Sequence, residues 1–249
     1  MHPFFTSSRP LVFAHRGGAA LAPENTMRAF ANGLALGADG IELDVRLSRD
    51  GVVVVHHDAT VDRTTAGSGA VAGMTAAELA RLEVPALEDV LARFGDTRMI
   101  VELKVDSPEM ASAVVAAVRR AGALERVCLG SFGLRVLHAA RAFEPAVATS
   151  AAREEVRWAL YRSWVGWPGR RAAYAGFQVP ERTGATRIVS KRFVEAAHRC
   201  GHAVQVWTVD REDDARRLLS WGVDALITDR PDLMVRVVRG VHSGGTRNE

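Results

Sequence analysis

A few residue types, repeated at short spacing, carry the chemistry of this 249-residue chain. Glu42 and Asp44 stand two apart in "GIELDVRLS", and Glu102 and Lys104 two apart in "MIVELKV". On an extended strand, residues i and i+2 point to the same side with Cα atoms roughly 6.6 Å apart. Three carboxylates converging on one point repel one another unless a cation lies between them. Oxygen-only ligands suit a hard divalent ion such as Mg²⁺ or Ca²⁺. For any one acid the competing reading is a buried ion pair with Lys104 or Arg16. For all three together, two bases do not neutralise the set and still leave charge for a ligand.

Two histidines complete the group. His15 and Arg16 end the apolar run "PLVFAH", and "HHD" at 56–58 ends another. Histidine exchanges protons near neutrality and serves as general acid or base. Adjacent strand residues face opposite ways, so only one of His56 and His57 can enter a shared site. His57 is the provisional choice, with Asp58 placed to orient its ring or cap the turn. Arginine offers a fork for two phosphate oxygens and lysine a point charge. Acids for a metal, bases for an anion and two histidines together read as metal-assisted phosphoryl chemistry.

These residues need a scaffold that brings strand ends together. Strand-like runs at 10–15, 40–48, 99–105, 126–132, 146–150, 174–180, 202–209 and 223–229 alternate with helical patterns near 25–36, 86–94, 108–121, 133–142, 152–163, 190–200, 211–220 and 231–239. Many of the strands are continuous apolar runs, as expected where both sheet faces are covered. Eight such units in this length fit an α/β TIM (β/α)₈ barrel, whose chemistry sits at the C-terminal strand ends. An open doubly wound sheet is the competitor, but no Gly-x-Gly-x-x-Gly follows a strand. Arg49-Asp50-Gly51 reads as a hairpin turn into an extra strand at 52–56. A short insertion of about 58–85 follows strand two, and "MTAAEL" within it has the Thr75/Glu78 spacing of a capping box. One domain is expected, with a core of about 10–240 and a polar, frayed tail at 241–249.

Composition narrows the class. The chain has 32 Lys and Arg against 29 Asp and Glu, a formal charge of +3, and 48% apolar residues. That balance argues against nucleic acid yet admits a small anionic ligand. Cys128 and Cys200 form no disulfide framework and are expected as buried thiols. No apolar run reaches the ~18 residues of a membrane span, and the N-terminus lacks the pattern of a secretory signal. A cytoplasmic location without stable membrane insertion is the expectation.

The ordered pieces "AHRGGAALAPENTMRAF", "GADGIELDVRLSRDGVVVVHHD", "VDRTT", "VPALEDVL", "IVELK", "VQVWTVD" and "GVDALITDRP" resemble the glycerophosphodiester phosphodiesterases across residues 11–234. The resemblance implies a TIM barrel and hydrolysis of a glycerophosphodiester to sn-glycerol 3-phosphate and an alcohol, with Mg²⁺ or Ca²⁺. It implies metal ligands at Glu42, Asp44 and Glu102, and catalytic histidines at His15 and His57. It also implies phosphate contacts from Arg16 and Lys104, a glycerol-side tryptophan at Trp207 and a substrate-side glutamine at Gln178. The chain departs from the family pattern at Asp210, where asparagine is usual, and in its short insertion. Two rivals remain. One is a lysophospholipase D-like phosphodiesterase acting on lipid at a membrane surface, suggested by the tryptophan- and arginine-rich stretch 156–174. The other is a binding module without activity.

Overall fold

A computed structural model describes residues 2–165 and 172–244 of the chain. Eight parallel strands run β1 (Leu11–His15), β2 (Gly40–Leu47), β4 (Arg98–Leu103), β5 (Val127–Gly130), β6 (Ala148–Thr149), β7 (Gly176–Pro180), β10 (Ala203–Trp207) and β11 (Ala225–Thr228). Each pairs with the next in this order except β6 with β7, and β11 pairs with β1. A bridge between Ser150 and Gly176 joins β6 to β7 and completes a TIM barrel. The helices α1 (Met27–Ala35), α3 (Leu87–Arg93), α4 (Pro108–Arg120), α5 (Leu134–Phe143), α6 (Arg153–Val165), α7 (Lys191–Arg199), α8 (Glu212–Ser220) and α9 (Pro231–Gly244) follow the barrel strands in turn.

The strands obey period two. Ile41, Leu43 and Val45 of β2 and Met99, Val101 and Leu103 of β4 point outward into one apolar layer beneath the helices. Phe177 and Val179 of β7, with Val204 and Val206 of β10, join a second layer on the opposite side. The inward residues form a separate, smaller cluster: Leu11, Phe13, Ile100, Cys128, Ala148, Ala203, Ala225 and Ile227. Phe4 and Phe5, in a short 3-10 turn at Pro3–Phe5, pack into that cluster ahead of β1. Cys128 is buried there, whereas Cys200 caps the C-terminus of α7 and is only half-buried.

The extra strand β3 (Val53–Val55) pairs antiparallel with β2. Between it and α3, α2 (Ala76–Ala80) begins with the capping box of Thr75 and Glu78. Val54, Val61, Val71, Leu79 and Val84 give this region its own small core. A hairpin of β8 (Arg182–Thr183) and β9 (Thr186–Arg187) follows β7. Among the described residues no helix is long and apolar enough to cross a membrane. Residues 241–244, expected in a frayed tail, instead continue α9, because the helix runs on past the core boundary expected at 240; residues 245–249 lie outside the described residues.

Candidate active site

The inward columns of β1, β2 and β4 end in polar residues, and strand register aligns those ends. His15 of β1 lies opposite Glu42 of β2. Asp44 of β2 lies opposite Glu102 of β4. Glu42, Asp44 and Glu102 thus offer one oxygen each, all within 4.8 Å of one another. Glu42 and Asp44 are buried and Glu102 is half-buried. Asp44 Oδ1 and Glu102 Oε1 are buried and both face the Lys104 ammonium. Three carboxylates this close repel one another and are costly to bury unless positive charge meets them; two bases face three acids, so the cluster fits a hard divalent ion as well. Burial and the neighbouring Asp44 charge push the Glu42 carboxyl up to about 8. Asp44 goes the other way: burial raises it, but the Lys104 and Arg16 charges outweigh burial and leave it lowered.

Both bases lie on the cluster's rim. Lys104 Nζ approaches Asp44 Oδ1 at 2.8 Å and Glu102 Oε1 at 3.0 Å. Arg16 Nε stands 3.2 Å from Asp44 Oδ2, and its Nη1 donates to Glu24 Oε1 at 3.1 Å. The ion pairs weighed from sequence are therefore real, yet two bases face three carboxylates. Arg16 holds φ +50, a left-handed backbone that costs a non-glycine residue about 1–2 kcal/mol. In that conformation its backbone N–H donates to Glu42 Oε2 at 3.0 Å. The next residue, Gly17, has φ +89, and a Cβ there would lie 2.6 Å from the Ala29 side chain. The His-Arg-Gly turn is thus built to present one amide and one guanidinium to the acids.

Each histidine has a carboxylate at Nδ1. His15 Nδ1 lies 2.7 Å from Asp229 Oδ1, and His57 Nδ1 lies 2.6 Å from Asp58 Oδ1. An ionised carboxylate only accepts, so Nδ1 carries the proton and Nε2 is left to exchange one. Burial pulls the His15 imidazolium down, but the Glu42 and Asp229 charges outweigh it and raise the ring to about 9. His56 turns away from the site: it is buried, its Nε2 meets Thr60 O at 3.0 Å, and burial lowers its pKa.

Several contributors were not assigned from sequence. Asp229 ends the run 223–229, and its partner His15 lies at the far end of the chain, so no local spacing links the two. Asp210 Oδ1 accepts from Thr228 Oγ1 and from the Asp229 backbone N–H, both at 2.8 Å. An asparagine oxygen could make the same contacts, so the Asp210 departure leaves this geometry available. Asn25 and Thr26 both carry side chains able to cap the helix that follows "PENT". Thr26 is the cap, accepting from Ala29 N–H at 3.1 Å, whereas Asn25 Nδ2 donates to Asp44 Oδ2 at 2.8 Å. Arg63 links Glu24, at 2.7 Å, to Asp58, at 2.6 Å. Its hydrogen bond, followed by that of His57, holds the Asp58 carboxyl well below the usual range. The motifs "PENT" and "VDRTT" were the available signals for these positions.

A cavity of about 880 Å³ opens at the C-terminal strand ends, and His15, Arg16, Glu42, His57, Glu102 and Lys104 line one side. Gln178 and Trp207 line it as well. The Trp207 ring stands edge-on to Phe132, with centroids 5.9 Å apart. The Gln178 amide donates to Gln205 Oε1 at 2.9 Å. A Cβ at Gly130 would meet Gln178 Oε1 at 2.6 Å, so glycine there leaves the amide its place in the cavity.

A closed barrel with a polyanionic cluster, two flanking bases and two carboxylate-held histidines has the site architecture of a phosphoric ester hydrolase. The glycerophosphoryl diester phosphodiesterase family matches residues 15–233 of the chain. A glycerophosphodiester phosphodiesterase of Caldanaerobacter subterraneus subsp. tengcongensis is 33% identical over 93% of this chain and 98% of its own length. The crystal structure of an Agrobacterium tumefaciens glycerophosphodiester phosphodiesterase is similar at 29% identity and a TM-score of 0.74, covering 91% of this chain and 99% of that one. An Oleispira antarctica phosphodiesterase, solved with its product sn-glycerol-3-phosphate, is 25% identical with a TM-score of 0.73, covering 93% of this chain and 97% of that one. The chain belongs to the glycerophosphoryl diester phosphodiesterase family, and is a hydrolase of that family.

Proposed function

We propose that the protein hydrolyses glycerophosphodiesters to sn-glycerol 3-phosphate and an alcohol, with His15 and His57 as the acid–base pair. The observation that carries this reading is the meeting of two Nδ1-anchored histidines and a three-carboxylate cluster in one cavity. Glu42, Asp44 and Glu102 would hold a divalent cation, Mg²⁺ or Ca²⁺. When bound, such an ion supplies positive charge to a phosphoryl oxygen. Arg16 and Lys104 bind the remaining phosphate charge as it grows toward the transition state. Trp207 and Gln178 line the space for the glycerol portion.

Hydrolysis forms one P–O bond and breaks another. One histidine Nε2 takes the proton of the attacking hydroxyl. The second gives a proton to the departing oxygen, which would otherwise leave as a high-energy alkoxide. Diester and water then balance monoester and alcohol. The same pair serves direct attack by water and a two-step course through a cyclic phosphate of the glycerol 2-hydroxyl. Each course needs one base and one acid on opposite sides of phosphorus.

A coupled assay for glycerol 3-phosphate tests the reading. Release that EDTA abolishes and Mg²⁺ or Ca²⁺ restores is the expected result. A protein that binds diesters without cleaving them would overturn it in favour of a binding module. The lipid-acting alternative draws on α6, where Trp158, Tyr161 and Trp164 are all exposed. Co-sedimentation with liposomes, lost on Trp164→Ala, would favour it. Trp167, the other tryptophan that points to this test, lies outside the described residues.

A further inference from the structure

The cavity has a second wall, facing the acids across the barrel mouth. Leu160 and Trp164 of α6, together with Ile188, make its apolar part. Its charged part is Arg153 and Arg157, which also line the cavity. Neither guanidinium makes an ion pair among the described residues. The Arg153 guanidinium lies over the Phe132 ring, 5.0 Å from its centroid. Glu42 and Glu102 are the acids among the lining residues, and both belong to the metal-type cluster. Nearby Glu155 is turned to Arg141, at 2.8 Å. In sequence the imbalance is sharper still: Val156 to Pro180 carries four arginines and no acidic residue.

A cationic alcohol such as choline or ethanolamine is recognised by a carboxylate or by open aromatic faces. Here no carboxylate is offered on this wall, Phe132 already carries the protein's own cation, and the remaining exposed aromatic of the wall, Trp164, stands on the same helix as the two arginines. Resting on the phosphodiesterase reading above, we propose that the α6 wall selects diesters whose far end is anionic, bearing a carboxylate or phosphate, over diesters with an ammonium group. Arg153 and Arg157 attract the charge, and Leu160, Ile188 and Trp164 cover the carbon skeleton. Because both arginines are exposed, the preference is a screened Coulomb effect, strongest at low salt.

A matched series tests it: glycerophosphoethanolamine, its N-acetyl derivative and its N-succinyl derivative, which are cationic, neutral and anionic at the same end. For the full-length enzyme with Mg²⁺, kcat/KM on the N-succinyl compound should exceed that on the parent by about tenfold at low ionic strength. Arg153→Gln/Arg157→Gln should shrink that ratio to about that seen for the wild type at high salt, whereas the lysine double variant should keep it. An equal or reversed preference, or a ratio indifferent to both salt and the glutamine variant, overturns the proposal. Equilibrium dialysis of the three compounds against the His57→Ala variant reads the same preference without turnover. If no compound is cleaved but the anionic one binds best, the reaction is wrong and the charge selection stands.

Discussion

The two walls of the cavity are built in opposite ways. On the β1, β2 and β4 side every charge is buried or half-buried and held by at least one protein partner, as in Asn25–Asp44, Asp229–His15 and Lys104–Glu102. On the α6 side the charges are exposed and unpaired among the described residues, and lie beside exposed aromatics. Strand ends cannot move without disturbing the barrel, so groups fixed there keep their spacing. A helix surface tolerates change, because loop and helix residues facing solvent carry little of the core. The difference assigns bond making to the first wall and choice of partner molecule to the second, and it can be broken at either side.

The largest effect belongs to the histidines. His15→Ala and His57→Ala should each lower turnover by at least ~10² on every diester, whatever its head group, while circular dichroism shows the fold retained. Full activity in either variant would remove that histidine from the mechanism. Next come the two anchors. Asp229→Asn should cost about tenfold or more in kcat, and exceed the loss in Asp58→Asn. The His15 side chain is the more enclosed, 16% exposed against 31% for His57. Asp229→Asn should also move the kcat–pH profile, because it removes one of the charges that raise His15.

Stability without metal sharpens the same contrast. His15 and Glu42 are both raised in the fold, to about 9 and about 8. A raised group stabilises the fold below its unfolded pKa, and that contribution disappears as pH climbs through the folded value. In EDTA, the melting temperature should therefore fall by several degrees as pH rises from about 5 to 9.5. Saturating Mg²⁺ should flatten the slope, since a cation favours ionised Glu42. An EDTA melting curve indifferent to pH would contradict the burial argument. The smallest effect is expected from the outer wall: Arg157→Gln alone should alter the anionic-to-cationic preference by about two- to threefold and leave melting within about 1 °C.

Much of the inner wall was legible before any fold. Alternation in Ile41-Glu42-Leu43-Asp44-Val45 places both acids on one side of a strand, because side-chain direction reverses at each residue. The same rule separates His56 from His57. Helix caps were less certain, since Asn25 and Thr26 have equal capping chemistry and only the backbone angle of Asn25, φ +58, sends its amide to Asp44. Phe4 and Phe5 precede the first strand-like run, and no local period assigns them a place. Only closure of the barrel reveals an apolar interior for them to fill.

By itself the sequence determined the strand and helix periods, the parallel barrel they require, and the side of each strand on which Glu42, Asp44, Glu102 and Lys104 lie. Those properties depend on residues a few positions apart. Which groups meet across the barrel was decided by the tertiary structure. Asp229 reaches His15 because β11 returns beside β1, Arg63 bridges to Glu24 because the segment after β3 folds back, and Arg153 and Arg157 face the acids because α6 follows the strand that closes the ring. Such contacts depend on register and closure, and no local pattern of residues encodes their distance.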